Sequence, residues 1–501
     1  MFSPVLWQDI SMMKASCLLG VQLSLLALLL ILFRRYVSHL SDIPGPFIAS
    51  FTRLWHAWHI VIGDMPVQLL RLHEKHGHFV RISHDEISVS HPQAIQQILL
   101  SPLHKASWYK IAATPDHRFR TPMSTLEPDA KRERSRHVAS AYSLSNILRS
   151  EEEMNRLFDK FMRWMDQFAK EQRPTHLDEF FAYLTYDLIG EMHFSQEFGY
   201  LETGSDVNKS IATFSIFNVY SAIAGYFIRL HTLTVANPLI SKLGILPMGY
   251  LYNTIVQSLD KRRNKIAPRF DMVAHWFKEH DKYPDDFTIR DVYAVTVNSV
   301  FGGSDTTSIA MQSFIYHMIR HPFAYQRVRD EIDDAQAQGR CQDTIISFED
   351  ARKLSYLTAC IKETLRVFGP FALSLPRVAG KQGVSINGRV FPAGTILSIN
   401  PWVEHLSKEN WGEDVKEFNP DRWFAPGIGA QEKHMIPFGA GYNSCPGQHL
   451  AKVAIFKMAA TLVRDYDIRL VDERKAWKWK ARITVMQNSW PVYIKRRDSS
   501  L

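Results

Sequence analysis

A lone cysteine in a glycine-rich stretch, Pro437-Phe438-Gly439-Ala440-Gly441-Tyr442-Asn443-Ser444-Cys445-Pro446-Gly447, is where residue types and spacing first point to chemistry. Small and apolar residues recur at helical spacing from Gln448 to about Leu462, so Cys445 stands just ahead of a helix N-terminus. Orphan N–H groups and the helix dipole there favour a thiolate over a thiol. Gly439, Gly441 and Gly447 let the loop bend and let a flat ligand approach the backbone. Such a thiolate suits a metal bound from one side, and the plain alternative is a buried structural cysteine.

A second constellation is Gly302-Gly303-Ser304-Asp305-Thr306-Thr307, in the middle of one helical pattern from Asp291 to about Arg320. At 1.5 Å per residue that helix is roughly 45 Å long, enough to cross a large domain. Each glycine costs about 1 kcal/mol relative to alanine there, and a local rule broken mid-element marks a functional site. Glycines let something flat lie on the helix, and an acid beside a hydroxyl relays protons. The competing reading is two helices, with Asp305 or Thr306 as an N-cap.

The third is Glu363-Thr364-Leu365-Arg366, whose charges share one helix face. As a pattern it is weak. About one such pair is expected by chance in a chain this long, and others stand at Glu133/Arg136, Glu153/Arg156 and Glu349/Arg352. Its meaning comes from order: it falls between the long helix and Phe418-Asn419-Pro420-Asp421-Arg422-Trp423, which precedes the cysteine loop. The stretch His73-Glu74-Lys75-His76 is not a zincin site, because its histidines are three apart rather than four.

The elements that must position these groups follow from composition and pattern. The 501 residues are 46% hydrophobic, ample for a core, and four cysteines are too few for a disulfide framework. A net charge of +8 is too small and scattered for nucleic-acid binding, but suits an anionic membrane or an acidic protein partner. Residues 15–33 are uncharged and Leu-rich, long enough to span a bilayer, and are followed at once by Arg34 and Arg35. By the positive-inside rule the bulk of the chain is cytosolic, so the sequon-like Asn208-Lys209-Ser210 goes unused. A cleaved signal peptide would carry its charge ahead of the apolar run. The division expected is a tail at 1–14, an anchor at 15–33, a basic and proline-rich linker at 34–50, and a catalytic domain at 51–501. Within the domain, Met65–His76 reads as a helix, Phe79–Ser83 as a strand and Ser101–Ala130 as a long loop. The aromatic stretch from Ile211 to Tyr252 is too often interrupted by polar residues to be a second span. Val384–Phe391 carries an Asn-Gly turn and reads as a hairpin, with further strands at Thr395–Asn400 and around Ile483–Met486.

In that order along the chain, Gly302–Thr307, Glu363-x-x-Arg366, Phe418–Trp423 and Phe438-x-x-Gly441-x-x-x-Cys445-x-Gly447 resemble the cytochrome P450 monooxygenases, and are most similar to microsomal, fungal secondary-metabolism members. The resemblance implies a mainly α fold with a small β region, preceded by one transmembrane helix. It implies haem b, with Cys445 as axial iron ligand and Phe438, Gly439, Asn443, Gly447, Gly303 and Arg377 around it. Thr306 and Asp305 would then deliver protons to bound dioxygen, while Glu363, Arg366 and Arg422 form a buried charge network beneath the haem loop. Phe371, Ala372, Leu373 and Val485 would face the substrate.

Three positions depart from the family. Asn443 stands where Arg or His usually meets a haem propionate, and Lys131 and Ser135 stand where Trp or His and Arg are usual. Electrons are expected from NADPH through NADPH–cytochrome P450 reductase, steered to basic residues such as Lys433 and Lys452. The chain is expected in the endoplasmic reticulum membrane, single-pass, acting with O2 on a hydrophobic small molecule such as a terpenoid, polyketide or alkaloid intermediate. The rivals are a same-fold isomerase or dehydratase needing no external electrons, and a non-enzymatic membrane haem sensor or carrier. The complete Asp305–Thr306 pair speaks against both.

Overall fold

The computed structural model describes residues 4–242, 249–263, 269–487 and 489–497. The helices that position the site, numbered in chain order, are α1 (Pro4–Leu32), α2 (Leu54–Ile62), α3 (Met65–His76), α4 (Pro128–Ala139), α5 (Glu151–Glu171), α6 (Leu177–Phe194), α7 (Ser210–Ala224), α8 (Ile289–Arg320), α9 (Ser355–Val367) and α10 (Gln448–Asp465).

α1 begins at Pro4, so the expected tail is largely part of the same helix, and its leucines from Leu18 to Leu32 are exposed. Lys14–Val37 is long and apolar enough to cross a membrane. A short π-helical turn, Phe33–Val37, continues it into the linker. That linker is docked rather than free. Buried Arg81 donates to the carbonyls of Arg34 and Leu40, its N–H donates to Pro44 O at 2.8 Å, and Arg34 donates to Phe51 O. A Cβ on Gly45 would come 2.2 Å from Arg81 O, so this close approach requires glycine.

Strands β1 (Phe79–Arg81), β2 (Glu86–Val89), β3 (His104–Lys105), β4 (Leu375–Val378) and β7 (Ile396–Ile399) form a five-stranded sheet in the order β1-β2-β7-β4-β3. β2 and β7 run parallel and the other pairs antiparallel. β5 (Val384–Ile386) and β6 (Arg389–Phe391) make the expected hairpin, with Asn387 and Gly388 at φ 50° and 75°. β9 (Trp479–Ala481) pairs with β10 (Val485–Gln487), and β8 (Tyr466–Leu470) with β11 (Val492–Arg496).

α8 crosses the centre, packed along α6 and against α10 and α9. Its start is a capping box: Thr288 Oγ1 accepts from Asp291 N–H and Asp291 returns the bond to Thr288 N–H. The helix is continuous through Gly302 and Gly303, which excludes the two-helix reading. The long loop expected at 101–130 holds β3 and a 3-10 segment, Ser107–Ala112, whose Trp108 and Tyr109 are buried. α7 packs against the fold by one face: the indole of Trp108 donates to Ala222 O, and the tilted rings of Phe214 and Phe301 lie 4.6 Å apart. Although Val207–Leu233 is apolar enough to span a membrane, these contacts account for it as a covering segment.

Candidate functional site

The cysteine loop is shaped by two left-handed glycines, Gly439 at φ 71° and Gly441 at φ 63°. A Cβ at Gly441 would come 2.8 Å from Leu99 O, so the loop is pressed against the segment Ile95–Leu99. Cys445 N–H donates to Phe438 O at 2.8 Å, closing the loop before α10 begins. The residue is exposed, yet protein atoms crowd its sulfur enough to push the thiol above its usual pKa. N–H groups of Gly447 and Gln448 offset part of that shift. Burial therefore outweighs the helix terminus, and a bound cation is what would make the thiolate.

The long helix meets this loop through Tyr142, whose pKa rises through burial and, more weakly, through Cys445, and whose hydroxyl bonds Ser299 Oγ of α8. Further along α8, Gly302 faces open space, whereas a Cβ at Gly303 would lie 2.8 Å from Ile189 Cδ1. The flat face thus belongs to Gly302, and Gly303 serves the packing of α8 on α6. Thr306 donates to Gly302 O at 2.9 Å and keeps its side chain exposed. Asp305, next to it, accepts from Tyr186 O–H of α6 at 2.9 Å; burial pushes its carboxyl up to about 6.

A set of cations lies beside the loop. Arg377 on β4 is buried, donates to Tyr109 Oη and Pro376 O at 3.0 Å, and leaves Nε without a partner. Lys105 on β3 donates to Pro122 O and Met123 O at 2.7 Å, and burial, then Arg377 and Lys131, push it down to about 7. Lys131 on α4 donates to Tyr442 O, and burial and Arg377 lower its pKa. Their hydrogen bonds all go to neutral oxygens. Asn443 Nδ2 is also buried and without a partner. A planar group carrying carboxylates and binding a thiolate fits this donor set, so the residues present suit a haem. Lys105 escapes a reading by sequence, because it sits in a stretch whose polarity says only loop. Lys131 is visible there as a departure from the family pattern.

Below the loop, Glu363 and Arg366 on α9 are fully buried. Glu363 Oε1 accepts from Arg366 Nη2, Arg422 Nε and Asn419 N–H at 2.7–3.0 Å; Oε2 accepts from Arg366 Nε and Trp423 Nε1 at 2.9 and 3.1 Å. Arg366 further donates to His405 O, Val415 O and Glu417 O, and Arg422 to Asp414.

The pocket candidates divide between two apolar clusters. Phe371 and Leu373 belong to an apolar cluster with Trp108, Tyr109, Ala222, Tyr226 and Ile483. Ala372 and Val485 point into another, with Ile309, Phe368 and Trp402. Phe371 bridges Thr484, and Ala372 N–H donates to Ile483 O, so Ile483 rather than Val485 shares a face with Leu373.

Comparison with known proteins agrees with the geometry. A family model described as Cytochrome P450 matches residues 44–496. A cytochrome P450 monooxygenase of Aspergillus flavus is 29% identical over 90% of this chain and 93% of its own length. The cytochrome P450 monooxygenase gsfF of Penicillium aethiopicum is 29% identical over 89% and 91%, and ACRTS1 of Alternaria alternata 31% identical over 72% and 98%. With its fold, its cysteine loop and a family match running over nine-tenths of its length, the chain belongs to the cytochrome P450 family and is a monooxygenase of that family.

Proposed function

We propose that this protein is a single-pass, membrane-anchored haem-thiolate monooxygenase that inserts one oxygen atom from O2 into an apolar secondary-metabolite intermediate, with electrons from NADPH through a reductase. The observation that carries this is the convergence of Cys445, the exposed Gly302–Thr306 face and the carboxylate-ready cations Lys105, Lys131 and Arg377. Haem, when bound, supplies the one-electron and dioxygen chemistry that side chains lack. Cys445 would hold its iron, Lys105, Lys131, Arg377 and Asn443 would hold its carboxylates, and Gly302 would give it room. Thr306 holds a proton at Oγ1 and Asp305 resupplies it, its carboxyl poised close to neutrality.

Phe371, Leu373 and Ile483, with Trp108 and Tyr109, form the apolar wall against which the substrate is oriented. The exposed helix Lys14–Val37 supports an anchor in the endoplasmic reticulum, with the body cytosolic. Exposed Lys433 and half-buried Lys452, near the cysteine loop, suit an acidic redox partner. Fungal relatives support a role in secondary metabolism.

The test is the reduced, carbon monoxide-treated protein. Its Soret band should stand at the long-wavelength position of thiolate ligation and lose it in Cys445→Ala. A band that never reaches that position, or survives the substitution, overturns the reading. NADPH consumption with reductase and a substrate found by profiling metabolites of a strain lacking the protein then separates it from an isomerase or carrier.

A further inference from the structure

One side chain that belongs to neither motif joins the charge network around Glu363 to the cysteine loop. Arg366 Nη1 donates to His405 O at 2.9 Å, at the end of the short helix Pro401–His405. The imidazole of the same residue accepts the N–H of Ile436 on Nε2 at 2.9 Å. Ile436 O in turn accepts from Gly439 N–H at 3.0 Å, and Phe438 O from Cys445 N–H at 2.8 Å. Hydrogen bonds and short backbone steps thus lead from a buried guanidinium to the residue that carries the sulfur.

The imidazole is held for its acceptor. His405 and Ile436 are both buried. Because Nε2 accepts a backbone N–H, the ring proton sits on Nδ1, which is buried and without a partner. Burial, then Arg366, push His405 down to about 3, so the ring is neutral at neutral pH and Nε2 keeps its lone pair. A second support stands beside it. Glu404 Oε2 accepts from Asn410 Nδ2 at 3.2 Å and lies 3.4 Å from Nδ1 of buried His434, two residues before Ile436. One helical turn therefore holds the entry to the cysteine loop at two points.

We propose that His405 is a positioning residue for Cys445: its Nε2 fixes the start of the cysteine loop and so fixes where the sulfur is presented to iron. Glu404, through His434, steadies the same entry. A loop that loses this hold lets the sulfur wander, and a ligand whose outer support is removed typically loses about 10- to 100-fold in metal affinity. The consequence for iron rests on the haem-thiolate reading, whereas the hold on Ile436 does not.

Two measurements on the full-length, haem-loaded protein test this. One is hydrogen exchange at the Ile436 amide; the other is the rate at which the long-wavelength Soret band decays after reduction and carbon monoxide treatment. His405→Leu should speed both by about tenfold, the lower end of what an outer support contributes. His405→Gln, whose amide oxygen reaches to the place of Nε2, should return both to wild type. His405→Asn reaches only to the place of Nδ1 and should behave as His405→Leu does, which covers a leucine variant that fails to fold. Cys360→Ala opens a buried cavity on α9 away from this path, and should leave the decay of the band unchanged.

Wild-type exchange at Ile436 in His405→Leu or His405→Asn overturns the hold on the loop. Faster exchange with an unchanged Soret decay overturns its reach to Cys445. A decay that Cys360→Ala speeds equally, or that His405→Gln does not restore, reduces the effect to lost stability and overturns the positioning role. A carbon monoxide spectrum without the thiolate band would sink the proposed function, yet exchange at Ile436 and its rescue by glutamine would still be read on the haem-free chain.

Discussion

Two acids lie in the interior near the same loop, and they are housed in opposite ways. Glu363 receives five hydrogen bonds, three of them from the guanidinium groups of Arg366 and Arg422. Asp305 accepts a side-chain hydrogen bond from the neutral Tyr186 hydroxyl, with no cation among the causes that act on it, and has its pKa raised by burial. A carboxylate that accepts from two buried guanidinium groups holds structure in place. One left with a tyrosine hydroxyl is kept near the point where it exchanges a proton. The same side-chain chemistry serves architecture in one place and turnover in the other, and the neighbours decide which.

The contrast breaks most visibly at the first acid. Glu363→Ala strands two buried guanidinium groups, and removing one partner of a buried pair costs about 3–5 kcal/mol. Most of a domain's net stability would be gone. The expected result is insoluble or haem-free protein, scored as haem per chain after expression; a well-folded, haem-loaded Glu363→Ala would end the structural role. At the second acid the damage should fall on turnover. Asp305→Asn is expected to fold and load haem normally while product formation falls by about 10²-fold, the lower end of what a positioned proton donor contributes. Product formed per NADPH oxidised is the measurement.

How much of this contrast is legible in the sequence depends on how local its determinants are. The cysteine loop and the flawed centre of α8 announce themselves, because glycines and a cysteine at fixed spacing break local rules within a dozen residues. Glu363-x-x-Arg366 is read through its place in the order of motifs, since its partners Arg422 and Trp423 lie about 60 positions away. Tyr186 is silent. It sits on a helix that reads simply as aromatic and apolar, and chain crossing brings it to Asp305 from 119 positions upstream. The division of Leu373 and Ile483 from Ala372 and Val485 between two apolar clusters is likewise invisible, because the bridge between Phe371 and Thr484 sets that phase.

A smaller effect tests the cations beside the cysteine loop. Burial and neighbouring cations disfavour the charge of Lys105 and Lys131, and Lys105, Lys131 and Arg377 all bond to neutral oxygens, so a carboxylate-bearing ligand suits the set. Lys105→Met should lower haem retention by about tenfold, the value of one charge-assisted hydrogen bond of roughly 1.5 kcal/mol. Haem transfer to an apo-acceptor protein measures this. Unchanged retention would show that Lys105 holds only the carbonyls of Pro122 and Met123.

The smallest effect is in stability, and its sign separates the two acids. The Asp305 carboxyl titrates near 6 in the folded protein against an ordinary 3.8, so the folded state holds the proton more tightly than the unfolded chain does. That preference stabilises the fold below about pH 4 and is lost as pH rises through 6. Replacing the acid with a neutral amide removes the cost of burying a charge, so Asp305→Asn should be more stable than wild type at pH 8, by about 1–3 kcal/mol, and no more stable at pH 4. Thermal unfolding at the two pH values measures the difference. Glu363 offers no such gain, because its charge is already matched by Arg366 and Arg422, and Glu363→Gln should lose stability at pH 8. If Asp305→Asn also loses stability there, the neutral donors around Asp305 hold its charge as firmly as the arginines hold that of Glu363, and the distinction between the two acids collapses.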